Sequence, residues 1–196
     1  MLIRGAGRGQ EVLLGRRRET ARFMPGYSVF PGGVLEPEDR QASGYPEQPL
    51  SVPLGIDGAT RRALPRFARA ALRETYEETG LLVGRSTSHV APTQRCDFWQ
   101  AYAERRLAPA FDALALFAIA VTPTSYPIRF HARFFLADGA LAQGVPESRD
   151  ELEQVAWVPL GRLQALRLPS VTRRVLQWAL VQRRLAPRRW RAWHSA

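Results

Sequence analysis

The sequence predicts an α/β fold, a mixed sheet with helices on both of its faces, and three observations carry that prediction. Short apolar runs bounded by glycine, proline and charge recur along the chain, which is how strands read. Amphipathic stretches long enough for helices separate them. At 196 residues, with 45% hydrophobic and 23% charged residues, the chain has the size and composition of one globular domain with its own core.

The elements follow in order. Residues 11–17 (EVLLGRR) form a strand, and residues 21–29 a loop entering a second short strand that ends at Phe30. Pro31-Gly32-Gly33 then turns the chain sharply, because glycine alone adopts positive φ at little cost. Residues 40–62 contain Pro46, Pro49, Pro53 and several glycines without periodicity, so they are expected to be an exposed inserted loop, beside the site and outside the core. Loops of this length in a compact domain are often functional. Pro65 suits a helix start and Gly80 a helix end, giving a main helix over residues 64–79. On it Phe67, Ala71, Leu72 and Thr75 should face the core, with Glu74, Glu77 and Glu78 turned the other way. Residues 93–106 are a further helix, and residues 114–122 and 129–136 two strands joined around Pro123 and Pro127. Residues 154–158 are the last strand and residues 171–185 a C-terminal helix. Residues 1–186 are thus expected to form a single domain, and residues 187–196 (PRRWRAWHSA) a disordered basic aromatic tail.

The chemistry concentrates in Arg73-Glu74-Thr75-Tyr76-Glu77-Glu78-Thr79-Gly80-Leu81. Glu74, Glu77 and Glu78 stand at i, i+3 and i+4, neighbours on one side of a helix. Three adjacent carboxylates repel one another unless a cation compensates, and an oxygen-only set suits Mg²⁺ or Mn²⁺. A solvated acidic stripe would show the same spacing.

With Phe30-Pro31-Gly32-Gly33-Val34-Leu35-Glu36 upstream, this segment resembles the Nudix box, Gly-x5-Glu-x7-Arg-Glu-U-x-Glu-Glu-x-Gly-U, where U is aliphatic. Thr75 departs from the aliphatic position, Asp39 stands where the first Glu would be, and 33 residues rather than seven separate Asp39 from Arg73. The resemblance implies an α/β/α sandwich and a metal-dependent hydrolase of nucleoside diphosphates linked to a second group. It implies Glu77 and Glu78 as metal ligands, Glu74 as a further ligand or acid/base partner, and the carbonyl of Gly33 as an additional ligand. Arg73 would hold the glutamates in position, and Asp39 would contribute a structural pair or an outer contact. The general base has no fixed place in the family; Glu151, six residues before Trp157, fits the usual spacing better than Glu153.

A narrower resemblance concerns the substrate. Leu13-Leu14-Gly15-Arg16-Arg17, Arg22, Gly26, the FPGG segment and Glu36 are similar to the coenzyme A diphosphatase signature, with Gly15 and Arg18 in place of its Thr and Ser. Phe23-Met24-Pro25-Gly26, the long insertion and Thr122-Pro123-Thr124 with Arg129-Phe130 resemble the mammalian peroxisomal branch that cleaves coenzyme A and its thioesters. Arg17 and Arg22 would then bind the 3′-phosphate and diphosphate by bidentate contacts, or remain ordinary strand-end arginines. Nudix hydrolases of ADP-ribose, NADH or dinucleoside polyphosphates are the alternative, and a non-catalytic nucleotide- or RNA-binding module is the alternative of another class.

The net charge is +10 and every one of the 28 basic residues is arginine, with no Lys or Asn and four Ile, a bias expected of a GC-rich genome. The charge invites a nucleic-acid reading, but part of the arginine excess then reflects codon bias rather than selection for polyanions. The charge would attract phosphorylated substrates, and a dedicated nucleic-acid partner is not expected. No apolar run approaches a membrane span, residues 1–10 lack the apolar core of a signal peptide, and His194-Ser195-Ala196 is not a peroxisomal address. The expectation is a cytoplasmic protein acting on a small molecule, with a homodimer compatible with this reading. The lone Cys96 allows no internal disulfide.

Overall fold

The computed structural model describes residues 1–41, 43–47, 49–53, 55–88, 96–122, 124, 129–149 and 151–181, and the backbone of Gln182 and of Trp193–His194. A seven-stranded mixed sheet forms its centre, in the order β10-β6-β7-β1-β2-β3 with β9 paired to β2. Its strands are β1 (Leu2–Arg4), β2 (Glu11–Arg17), β3 (Ser28–Val29), β6 (Ala115–Val121), β7 (His131–Asp138), β9 (Leu152–Pro159) and β10 (Trp193–His194). β4 (Leu82–Ser86), β5 (Leu107–Pro109) and β8 (Ala142–Gln143) make a second, three-stranded sheet. The β1–β7 and β10–β6 pairs are parallel, and β2 is antiparallel to β1, β3 and β9.

Side-chain alternation along the strands builds the layers. Leu13, Leu116 and Phe135 pack into a core shared with Leu64, Ala68 and Leu72 of α1 (Gly58–Thr79) and Phe98, Trp99 and Tyr102 of α2 (Asp97–Glu104). Their neighbours Val12, Leu14, Phe117 and Leu136 belong to a second core with Val175, Leu176 and Ala179 of α3 (Ser170–Gln182). One sheet thus separates two cores, each roofed by helix, which is an α/β/α sandwich. β2 matches the expected strand, and β6, β7 and β9 lie within two residues of theirs. The isolated short strands β1, β4, β5 and β8 were invisible to a periodicity reading, since two to five residues complete too few alternations.

Two expectations are corrected. The main helix begins at Gly58, six residues before the expected start, because Asp57 caps it: its carboxylate accepts from the Thr60 backbone at 2.8 Å and the Thr60 hydroxyl at 2.6 Å. Gly80, at φ 73°, ends it as expected. The remainder of the insertion is not a free surface loop either. Tyr45 is buried in the core, its ring 6.1 Å from those of Trp99 and Tyr102. Ser51 bridges to β6, donating to Leu114 O at 3.2 Å and accepting from Leu116 N at 3.0 Å. Glu47 pairs with the buried Arg69 at 2.6 Å. Proline and glycine shape this segment without excluding it from the core, because Tyr45, Leu50, Val52 and Ile56 supply the apolar surface.

The helix expected over residues 93–106 is described from Asp97 to Glu104, and residues 93–95 lie outside the described residues. The same holds for residues 183–185 of the C-terminal helix and for the tail, apart from Trp193–His194, whose backbone pairs with Ala118 and Ile119. No described helix is long and apolar enough to cross a membrane.

Candidate functional site

The site forms where the turn after β3 meets the last two turns of α1. Gly32 adopts φ 153°, and its N–H donates to Glu78 Oε2 at 2.7 Å. Gly33 lies directly against Glu74, so close that a Cβ added there would collide with both carboxylate oxygens. Only glycine brings the backbone this near. The turn therefore clasps Glu74 and Glu78 from one side, Gly32 and Glu78 lying 46 positions apart in the sequence.

Arg73 organises the other side. Its guanidinium bonds Asp39 through two nitrogens, at 3.2 and 2.9 Å, Val34 O at 3.0 Å and Glu77 Oε2 at 2.7 Å. It also lies 3.1 Å from Glu74 and 3.8 Å from Glu36. Asp39 is buried and supplies the paired contact expected of it; its shorter side chain reaches Arg73 because both lie inside the fold. Burial opposes the arginine's charge, but the bond to Asp39 and the carboxylates of Glu74, Asp39 and Glu77 outweigh it and raise its pKa.

The carboxylates themselves are under-compensated. Burial pushes Glu78 up to about 8, opposed by the Gly32 N–H and abetted by the charges of Glu74 and Glu151. Burial likewise raises Glu74 to about 7, against the pull of Arg73 and with Glu77 and Glu151 adding to the rise. Buried Glu78 and partly buried Glu74, with Arg73 beside Glu74 and Arg17 acting on Glu78, form a set whose ionised state needs more positive charge. Oxygen donors with this deficit fit a hard divalent cation. Glu77 differs, being half exposed and engaged with Arg73. Among the described residues no three acidic, histidine or cysteine side chains converge into a ready-made metal cage.

Glu151 lies near this centre, as its influence on Glu74 and Glu78 requires, and Arg17 NH2 stands 3.7 Å from it. Arg17, at the end of β2, also acts on Glu78, and its Nε is buried without a hydrogen-bond partner among the described residues. Glu153 is held instead by Arg16 at 3.3 Å. Arg22 is exposed and has no partner among the described residues. The structure thus brings Gly33, Arg73, Glu74, Glu77, Glu78, Glu151 and Arg17 together, and leaves Arg22 apart from their hydrogen-bond network. The Val34 carbonyl had no signal in the sequence, since backbone atoms carry none.

A NUDIX domain family model matches residues 66–179 of the chain. The curated protein "Putative nudix hydrolase 7" of Caenorhabditis elegans is 27% identical over 158 residues, 76% of this chain and 46% of that protein, so the chain spans about half the length of that relative. The crystal structure of a NUDIX hydrolase from Alicyclobacillus acidocaldarius superposes with a TM-score of 0.64 at 31% identity, over 96% of this chain and 90% of that one.

Proposed function

Because the chain belongs to the Nudix domain family, whose hydrolases generally use divalent metal ions, we propose that it hydrolyses a nucleoside diphosphate linked to a second group, with coenzyme A or an acyl-coenzyme A cleaved at the diphosphate. The observation that carries this reading is the pair of under-compensated carboxylates, partly buried Glu74 and buried Glu78, clasped by the Gly32-Gly33 turn. Glu74, Glu77, Glu78 and the Gly33 carbonyl would hold Mg²⁺ or Mn²⁺. When bound, the ion would offset charge on the phosphoryl oxygens and lower the pKa of the attacking water.

The protein's own groups do the rest. Arg73, fixed by Asp39 and the Val34 carbonyl, keeps Glu74 and Glu77 in place without entering the reaction. Glu151, solvent-exposed and near Glu74 and Glu78, accepts a proton from the attacking water. Water oxygen bonds to phosphorus, the anhydride P–O bond breaks, and its electron pair leaves on the departing phosphate. For coenzyme A the products are adenosine 3′,5′-bisphosphate and a phosphopantetheine. Arg17, beside Glu151, neutralises the diphosphate as it binds, with Arg22 as a second substrate contact. Support for the coenzyme A choice comes from the spacing of Arg17, Arg22, Gly26 and the FPGG segment.

Hydrolysis of coenzyme A, acetyl-coenzyme A, ADP-ribose, NADH and diadenosine tetraphosphate, with Mg²⁺ or Mn²⁺ and with EDTA, tests the reading. Coenzyme A or its thioester should give the highest kcat/KM, release adenosine 3′,5′-bisphosphate and fail with EDTA. A preference for ADP-ribose or NADH would transfer the assignment to that substrate, and inertness toward all five would overturn it.

A further inference from the structure

Seven arginines of the described residues pair with a carboxylate: Arg4, Arg16, Arg17, Arg69, Arg73, Arg85 and Arg149. Arg66 and Arg133 do the opposite. Their Cζ atoms lie 5.2 and 4.1 Å from the centre of the same ring, Phe67, with no carboxylate partner among the described residues. Among the described residues the Nε of each is buried without a hydrogen-bond partner, while Arg133 NH1 donates to His131 O at 2.8 Å. Cation–π contact with Phe67 offsets part of the cost of holding two like charges together. Among the described residues it leaves most of their N–H donors without a protein partner.

The location of this pair is informative. Arg133 shares its strand face with Phe135, which packs in the core beneath α1. Phe67 precedes Glu74 by seven residues and Glu78 by eleven, close to two and three helical turns, so all three lie along one stripe of α1, contrary to the expectation that Phe67 and the glutamates face opposite ways. At 1.5 Å per residue the arginine pair sits about 10 Å along the helix from Glu74. The residues between them on that stripe are Ala70, which is buried, and Ala71, which packs against the core.

We propose that Arg66 and Arg133, clasping Phe67, form a second anion subsite that binds a phosphate monoester carried by the substrate about 10 Å from the diphosphate. A dianionic phosphate neutralises both charges and accepts from both guanidinium forks, which a single carboxylate cannot do. Burial and the neighbouring Arg66 charge hold Arg133 below its ordinary pKa, and burial with Arg133 does the same to His131; an arriving anion would relieve both. In the coenzyme A reading, on which the identity of the substrate rests, this subsite rather than Arg22 would take the 3′-phosphate.

The test uses Arg66→Gln, Arg133→Gln and Arg22→Gln, with Arg66→Lys and Arg133→Lys retaining the charge. Binding of adenosine 3′,5′-bisphosphate and of AMP to the metal-free protein is measured by calorimetry, alongside kcat/KM for coenzyme A and dephospho-coenzyme A. Arg66→Gln and Arg133→Gln should each weaken the bisphosphate roughly tenfold or more and leave AMP within about twofold. The lysine variants should recover part of the loss, and Arg22→Gln should not reproduce it. Equal losses for both nucleotides, no loss, or a loss confined to Arg22→Gln would overturn the subsite. The binding arm needs no turnover. If wild type hydrolyses neither coenzyme while the bisphosphate preference maps to Arg66 and Arg133, the substrate reading fails and the subsite stands. Should a glutamine variant not fold, the lysine variant with its weaker fork still has to show a smaller selective loss.

Discussion

At the scale of single residues, the site is a contest between burial and charge. Glu74 and Glu78 are raised from 4.5 to about 7 and about 8 chiefly by burial. In the metal-free protein the folded chain therefore keeps protons that the unfolded chain releases at pH 4.5. The sign follows: protonated, the two acids cost nothing, and stability falls as pH rises from about 4.5 through 7 and 8. Melting of metal-free protein across that range should show this decline, and added Mn²⁺ should remove most of it. Glu78→Gln should raise the metal-free Tm at alkaline pH, by roughly 2–4 °C per kcal/mol recovered, while lowering kcat by about a hundredfold or more. A variant that kept full activity would break the assignment of Glu78. Gly33→Ala probes the same contact from the backbone. Its methyl would drive Glu74 aside, so kcat/KM should drop roughly 10–100-fold while the circular dichroism spectrum stays that of wild type.

At the scale of elements, the helices are tied down by a few polar bonds placed in apolar surroundings. Arg73 is buried with Asp39 against it, so Arg73→Ala leaves an uncompensated acid in the fold and should cost about 3–5 kcal/mol. Chemical denaturation measures that loss, and a change under 1 kcal/mol would mean that Asp39 finds another partner. α2 depends on Tyr102, fully buried, whose hydroxyl donates to Val83 O of β4 at 2.9 Å and whose ring meets Phe98 edge-on at 5.4 Å. Tyr102→Phe keeps the ring contact and strands the carbonyl, which should cost about 1–3 kcal/mol, read as a lower denaturant midpoint at unchanged slope.

At the scale of the whole molecule, the insertion is part of the scaffold. Tyr45 fills the core between Trp99 and Tyr102, Ser51 extends the hydrogen bonding of β6, and Glu47 neutralises Arg69. Deleting residues 41–57 would open the core and unpair a buried arginine at once. The shortened chain should lose its cooperative thermal transition; a folded product with an intact transition would return the segment to the status of a dispensable loop. The same segment separates the two halves of the site in sequence, and the fold rejoins them only because α1 runs back beneath the Gly32-Gly33 turn.

The sequence by itself determined the long strands, the helix that carries the acids, and the identities of Arg73, Glu74, Glu77 and Glu78. Strict spacing on one helix and bounded apolar runs along the long strands are local properties, and local properties are written in consecutive residues. Glu151 and Arg17 could be named from motif spacing, but their approach to Glu78 joins residues far apart in the chain. Asp57, the cap that starts the helix early, was a local signal the sequence did carry, whereas tertiary structure alone decided that Tyr45 would be core. It also decided that the Val34 carbonyl would brace Arg73 and that Arg66 and Arg133 would meet over Phe67. The reason is common to these three. Each depends on which surfaces the packed layers leave to be filled, paired or left charged, and no window of neighbouring residues contains that information.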